Sequence, residues 1–475
     1  MRVIVFGAGP AGLGAALGLA RRGFEVDVVE RGERVGGNAG SFEVEGIRAD
    51  YGSHRLHPAT DPQILAEIRS LLGDDLLERP RHGRIHLQGR WIHFPLRAAD
   101  LALRMPPRFA LGVAADLLRK GGARPAAGPA HGRETFASVL EAGLGTTICQ
   151  GFYFPYARKI WGIAPHEIAA AQAHRRVSAN SIGAMLRRLL PGGTGSGAAS
   201  GRGRFFYPRA GFGQISEAYC AAARAAGARI HLRTRAHSVV RTEGGFRVEL
   251  ESRGGEAPPP LTATRVWSMI PNTALVRALR PQAPPEVEQA ARSLALRAMI
   301  LVYLLVDIDR FSEYDAHYFP AEDIPFTRVS EVKNYAARAE PAGRTLLCAE
   351  IPCATQDALW SSDDEALGAR VAEGLARAGL PLPRPARRVL TRRLPAAYPI
   401  YREGWDEAFA RIDGWLSQID GLLSFGRQGL FAHDNTHHAL AMAHGALACL
   451  GDDGRWDVAG WRAQRKRFES HVVED

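Results

Sequence analysis

The chain opens on Arg2-Val3-Ile4-Val5-Phe6, a short apolar and β-branched run of the kind that forms a strand buried on both faces. Leu13 to Ala20 follows with an Ala/Leu composition that favours helix, closed by Arg21, Arg22 and Gly23. A second apolar strand, Val26-Asp27-Val28-Val29, ends at Glu30. Phe42 to Ile47 then reads as a strand hairpin leading into Asp50-Tyr51-Gly52-Ser53-His54, and Ile64 to Leu77 as an amphipathic helix. Gly89 to Leu96 is a turn and a strand stopped by Pro95. From about 97 to 190 the spacing of Ala, Leu and Ile is helical, broken by a Gly/Pro/Ala-rich stretch at 121–132. The glycine-rich run 191–201 has no regular pattern and reads as a lid loop or a plain linker. Beyond it the patterns give a helix from Ile215 to Ala226, strands at 228–233, 239–241, 246–250 and 266–271, and an apolar stretch from Leu294 to Ile308. That stretch contains Arg297, is too short to cross a bilayer, and reads as a buried strand with its approach.

Between the first strand and the first helix lies Gly7-Ala8-Gly9-Pro10-Ala11-Gly12. Strand, GxGxxG, helix, strand and acid at this spacing make a dinucleotide-binding βαβ unit. Gly7 permits the tight turn, Gly9 lets backbone approach a pyrophosphate, and Gly12 lets helix and strand pack closely. The helix start supplies N–H groups and a positive dipole end for that anion, and Glu30 is placed for a ribose hydroxyl pair.

Composition narrows the class. At 475 residues the chain suits two or three domains, and 46% hydrophobic with 23% charged residues is globular rather than disordered. The formal charge of +10 is carried mostly by scattered Arg without a basic block, which points away from nucleic acid. Cys149, Cys220, Cys348, Cys353 and Cys449 form no CxxC pair, so a reducing, cytoplasmic setting is expected rather than a disulfide framework. His57 and the pair His437-His438 show no matching carboxylate or Cys spacing, so no metal is expected. With the nucleotide fold starting at Met1, neither a leader nor a transmembrane segment is expected.

Arg34-Val35-Gly36-Gly37-Asn38 follows the acid directly. GxGxxG, Glu and RxGG in series resemble the flavoproteins of the amine oxidase and UDP-galactopyranose mutase superfamily, which implies FAD rather than NAD. Over nearly the whole chain further patterns are similar to the mutases. These are Tyr156-x-x-Lys159-x-Trp161, Arg176-Val177, Tyr318-Phe319-Pro320 with Pro325 to Arg328, Asn334-Tyr335, Ala397-Tyr398-Pro399, and Gly426 to Phe431 with Asn435. The fold this implies is α/β, a Rossmann-type doubly wound FAD domain built from segments 1–75, 204–271 and 405–475. A mainly helical cap (76–203) and a sheet-based substrate domain (272–404) are inserted between them.

By the same resemblance Arg176 and Arg328 clamp two phosphates, a task suited to the planar, always-charged guanidinium. Tyr398 donates a neutral hydrogen bond, His54 lies near flavin N5, and Tyr318 and His433 complete the catalytic set. His433 stands where the mutases carry a tyrosine, a departure that puts the substrate's identity in question. FAD contacts are implied for Gly7, Gly9, Pro10, Ala11, Gly12, Glu30, Arg31, Gly36, Gly37, Asn38, Gly52, Ser53, Val239, Gly426, Arg427, Asn435 and Thr436. The activity implied is ring-size isomerisation of a nucleotide sugar with reduced FAD as nucleophile. The alternative is an oxidoreductase of the amine oxidase, protoporphyrinogen oxidase or desaturase type. A homo-oligomer and reduction by NAD(P)H are both compatible with the mutase reading.

Overall fold

The computed structural model describes residues 1–96, 100, 103–122, 133–176, 203–256, 258–338 and 340–473. The side chains of 120–122 and of Arg176 lie outside the described residues, as do Val177 and the whole glycine-rich run 191–201.

Five short apolar strands form a parallel sheet in the order Leu422–Ser424, Arg265–Ser268, Arg2–Phe6, Glu25–Val29 and Arg229–His231. Its strands come from three distant stretches of chain, as a doubly wound sheet with long insertions requires. Helix Pro10–Arg21 crosses one face and is flanked by Gln214–Ala225 and Thr436–Ala448. Burial of both sheet faces explains why Val3 to Phe6 are all apolar and at most 1% exposed.

The second sheet has seven strands, in the order Arg388–Ile400, Ala295–Val306, Thr345–Cys353, Arg328–Glu331, Ala316–Tyr318, Gly83–Leu87 and Arg90–Phe94. All neighbours are antiparallel except Ala316–Tyr318 with Gly83–Leu87. The long strand Ala295–Val306 is apolar at nearly every position because both its faces are covered. Its even residues Ala298, Ile300, Val302 and Leu304 pack toward helix Asp364–Arg377. The odd residues Met299, Leu301, Tyr303 and Leu305 pack on the hairpin of Ser41–Val44 and Ile47–Asp50. A smaller four-stranded sheet carries Thr234–Thr242 and Gly245–Ser252.

One expectation is corrected. The helix expected from Ile64 to Leu77 spans Pro62–Leu72, because Gly73 at φ 55° ends it. Leu76–Pro80 is instead a strand paired with Arg204–Pro208. Segment 76–203 also holds the Gly83–Phe94 hairpin that finishes the seven-stranded sheet. Its helices Pro107–Gly122, Phe136–Leu144 and Phe154–Trp161 share a core with Ile85, Leu87 and Ile92 of that hairpin. The aromatics around Tyr153 to Trp161 belong to this core.

Lys159 fastens the cap to the sheet. Its Nζ donates to the carbonyls of Phe319 (2.6 Å), Ala321 (2.8 Å) and Phe326 (2.7 Å). Lys159→Met removes all three donors while keeping the side-chain length. We expect it to lower unfolding free energy by roughly 2–4 kcal/mol, measured by denaturant titration.

His317, 1% exposed, accepts from Arg84 Nε at 2.9 Å through Nδ1, so Nε2 carries the proton toward Ser312 Oγ at 3.0 Å. Burial, reinforced by the Arg84 charge, pushes its pKa down to about 3. The unfolded histidine takes up a proton near pH ~6.5, whereas the folded one does so only near 3. Between those values the unfolded state binds more protons, so stability falls as pH drops through this window. His437, held down to about 4 by burial, acts in the same direction. Thermal melts from pH ~7 to ~4.5 are expected to show this loss, and His317→Gln, which keeps both hydrogen-bond roles, to shrink it.

Candidate active site

The carboxyl ends of strands Arg2–Phe6 and Glu25–Val29 face the seven-stranded sheet across a cavity of about 480 Å³. This is the crevice in which doubly wound sheets bind ligands. The first wall is the glycine turn. Gly7 has φ 97°, and a Cβ on Gly12 would stand 1.9 Å from the Gly7 carbonyl oxygen, so the turn and helix meet only because residue 12 has no side chain. A Cβ on Gly9 would meet nothing within 4 Å, which leaves room for a group seated against the backbone. Gly36 N donates to Ala8 O at 2.8 Å, bringing the Gly-Gly turn onto the first turn. There a Cβ on Gly37 would lie 3.6 Å from Gly9 Cα. Glu30 is fixed as well: its carboxylate accepts from Ala8 N at 2.8 Å and Gly32 N at 2.7 Å. Open backbone at Gly9, the start of helix Pro10–Arg21 and an anchored acid are what an FAD pyrophosphate and ribose need.

Many of the residues proposed from sequence meet here. Gly7, Gly9, Pro10, Ala11, Gly12, Glu30, Arg31, Gly36, Gly37, Asn38, Ser53, His54, Arg328, Arg427, Asn435 and Thr436 all line the cavity. Gly52, Val239, Gly426, Tyr318, Tyr398 and His433 are not among its lining residues. Val239 is buried in its strand, two residues beyond the lining residue His237. Gly426 has φ 78° and supports the wall: a Cβ there would stand 3.0 Å from that of Ala11. Tyr318 OH accepts from Arg55 Nη1 at 3.1 Å, and Tyr398 lies between Arg427, 5.3 Å above its ring, and the stacked ring of His433 at 4.7 Å. Arg176 ends helix Ala170–Arg176.

Arg328 differs from the expected substrate clamp. Its guanidinium is buried and donates to both oxygens of Glu350, from Nε and Nη2 at 2.9 Å each, and to Ser53 O at 3.1 Å. Glu350 Oε1 in turn accepts from Ser53 N at 2.8 Å. Burial opposes the charge on Arg328, but Glu350 outweighs it and holds the group protonated. Arg427 is likewise committed to backbone, donating to Asp434 O at 3.0 Å and to Ala397 O. Burial lowers the pKa of His54 and raises that of Asp50 beside it. The His54 imidazole is therefore neutral near pH ~7, with Nε2 donating to Tyr51 O at 2.9 Å.

Several wall residues escaped the sequence reading. Arg55, one residue past the Gly52-Ser53-His54 stretch, pairs with Asp315 at 3.1 Å and donates to Tyr335 OH at 3.0 Å. Its guanidinium lies 5.2 Å over Phe205 and 4.9 Å over Tyr335, and its buried Nε has no hydrogen-bond partner among the described residues. Arg81, directly after strand Leu76–Pro80, and Arg204, which opens its partner strand Arg204–Pro208, also line the cavity, and only the fold brings them together. Pro395 and Ala396 reach it where the register of Arg388–Ile400 slips; Asn38 and Gln428 both donate to Ala396 O. The expectation that His437-His438 lack a carboxylate is corrected: Asp434 is 3.8 Å from His438 and 3.2 Å from His471. Asp434 bonds to His471, His438 Nδ1 accepts from Asn435 N, and the two rings stack at 4.3 Å, so these groups already serve one another.

Residues 10–448 match the family described as flavin containing amine oxidoreductase. A Mycobacterium tuberculosis protein named as a flavin-containing monoamine oxidase is 29% identical over 297 residues, 61% of each chain. The present chain thus spans about three fifths of that relative's length. The fold resembles a crystal structure of reduced UDP-galactopyranose mutase, with TM-score 0.80, 18% identity and full coverage of both chains. It also resembles a structure from Exiguobacterium sp. 255-15 titled as a protoporphyrinogen oxidase, with TM-score 0.72, 20% identity and coverage of 94% and 98%.

Glu30 generates a test of the cofactor wall. Glu30→Ala removes a charged acceptor from two backbone N–H groups and from the ribose. FAD affinity is expected to fall roughly ten- to hundred-fold, read by ultrafiltration and flavin fluorescence.

Proposed function

The chain belongs to the flavin containing amine oxidoreductase family, and on that premise we propose that this FAD enzyme acts on an anionic small molecule, with a nucleotide sugar as substrate and exchange of its ring forms as the reaction. The observation that supports this reading is the charge of the cavity wall. Arg55, Arg81, Arg204 and Arg328 line the cavity together; the acids that pair with three of them, Asp315, Glu78 and Glu350, stand outside its lining, and the lining carboxylates are Glu30, tied to the glycine turn, and Asp434, bonded to His471. The wall thus presents guanidinium donors rather than carboxylates to the cavity, which suits a diphosphate better than a cationic amine.

The residues divide the work. Glu30 and the turns at Gly9 and Gly37 hold FAD, which supplies redox or nucleophilic chemistry when bound. Arg328 acts as a positioning residue, fixing Ser53 and its neighbour His54 through Glu350. Arg55, with a buried Nε still to be satisfied, and the more accessible Arg81 and Arg204 bind the substrate anion. Neutral His54, its Nε2–H committed to Tyr51 O, leaves Nδ1 to accept a hydrogen bond without adding charge. The second reading, hydride transfer from substrate to FAD, is favoured by the family match and by the name of the mycobacterial relative.

Anaerobic incubation of the FAD-loaded protein with UDP-galactopyranose, UDP-galactofuranose and further nucleotide sugars tests the proposal. NAD(P)H and dithionite are the reductants to compare. Conversion to the other ring form is expected only in the reduced state, without net flavin oxidation. Arg81→Ala is expected to raise KM about ten-fold with little change in kcat. Bleaching of oxidised flavin by amines, porphyrinogens or polyenes, with no nucleotide-sugar conversion, would replace the mutase reading with the oxidoreductase one.

A further inference from the structure

Helix Pro107–Gly122 carries two apolar stripes, although a cap helix needs only one. The inner stripe, with Phe109 and Val113, packs on the Gly83–Phe94 hairpin. The outer one consists of Pro107, Leu111, Ala114 and Leu118, at i, i+4, i+7 and i+11, a spacing that aligns side chains along one face. All four are exposed. Leu111 is 71% and Leu118 80% exposed, and Leu103, just ahead of the helix, is 80%; among the described residues no other large apolar side chain exceeds 52%. Nothing within the described chain uses this stripe.

Its charges are one-sided. At about 100° per residue, Arg108 and Arg119 fall along one edge of the stripe, and Arg104 is exposed beside Leu103. The acids of this segment face inward: buried Asp100 accepts from His93 N and buried Asp116 from Thr147 N. Among the described residues from 103 to 119 the exposed face therefore offers leucine and arginine and no carboxylate. Arg104 and Arg119 reach back to Asp100 and Asp116 at 3.4 and 3.5 Å but stay exposed, so a second copy docked about a two-fold axis would set arginines against one another with no exposed acid to answer them. A surface that is apolar a few ångströms down and anionic above answers both features.

We propose that this face docks the enzyme on an anionic lipid bilayer. Leu103, Leu111 and Leu118 enter the interface, and Arg104, Arg108 and Arg119 meet headgroup phosphates. The contact is peripheral: no described helix is long and apolar enough to cross a membrane. The inference is independent of the substrate proposed above.

The test is co-sedimentation of the full-length, FAD-loaded protein with vesicles of phosphatidylcholine alone or mixed equally with phosphatidylglycerol. Binding to the mixed vesicles is expected to be about ten-fold tighter than to phosphatidylcholine. Both L111S/L118S and R108E/R119E are expected to lose about ten-fold or more of that binding. FAD content and light scattering report whether each variant stays folded and whether its oligomeric state changes. The proposal is overturned by absence of binding, or by equal binding of wild type and L111S/L118S, which would reflect net charge alone. It is overturned equally by a wild-type dimer that L111S/L118S splits into monomers while vesicles capture neither, which would assign the face to a second copy.

Discussion

The arrangement depends most on the buried ion pair between Arg328 and Glu350. Each belongs to a neighbouring strand of the large sheet, and together they grip both the N–H and the carbonyl of Ser53. Ser53 is not part of that sheet; it follows the hairpin that leads out of the nucleotide fold. The pair therefore binds the two halves of the molecule at the point where the cavity lies between them. Removing one partner of such a pair typically costs about 3–5 kcal/mol, because the survivor is left charged and dry. Loss of activity on changing Arg328 would thus report collapse of the wall before any loss of substrate contact. Arg55 and Asp315 repeat the device one step away, with Tyr335 touching both Arg55 and Ser53.

Carbonyl capture is the second recurring theme. Lys159 and Lys333 each donate to three backbone carbonyls, and Arg427 and Arg297 stitch strand ends to their neighbours in the same way. Loops and element ends leave acceptors that no ladder satisfies, and long basic side chains reach them. A share of the arginine excess is therefore internal scaffolding. The residues that give the cavity its field are a separate and smaller group.

Legibility in the sequence followed the range of the constraint. The glycine turn, Glu30 and the Gly-Gly turn were readable because their demands are local: a positive φ, a close approach, an acid at the end of the next strand. The apolar run around Leu301 was readable as a buried strand because both its faces are covered. The end of the helix at Leu72 was missed because a hydrophobic pattern carries across Gly73 into a strand whose partner lies more than a hundred residues away. Arg55, Arg81 and Arg204 were missed for the same reason. Nothing local separates them from dozens of other arginines, and only the pairing of Leu76–Pro80 with Arg204–Pro208 brings the last two together. Arg328 was found, yet its partner Glu350 lies on the neighbouring strand, so its commitment to the scaffold could not be read from its own surroundings.

The parallel sheet has a consequence for the order of events during synthesis. Its edge strand, Leu422–Ser424, and the wall residues Arg427 to Thr436 emerge from the ribosome after the glycine turn by some four hundred residues. Until they arrive, the strand Arg265–Ser268 has an open edge, and the nucleotide crevice is missing one side. A nascent chain of this design has its most recognisable motif long before it has a place to keep a cofactor. Cofactor capture is therefore a late event, and the newly made enzyme spends most of its synthesis needing protection for an unfinished sheet.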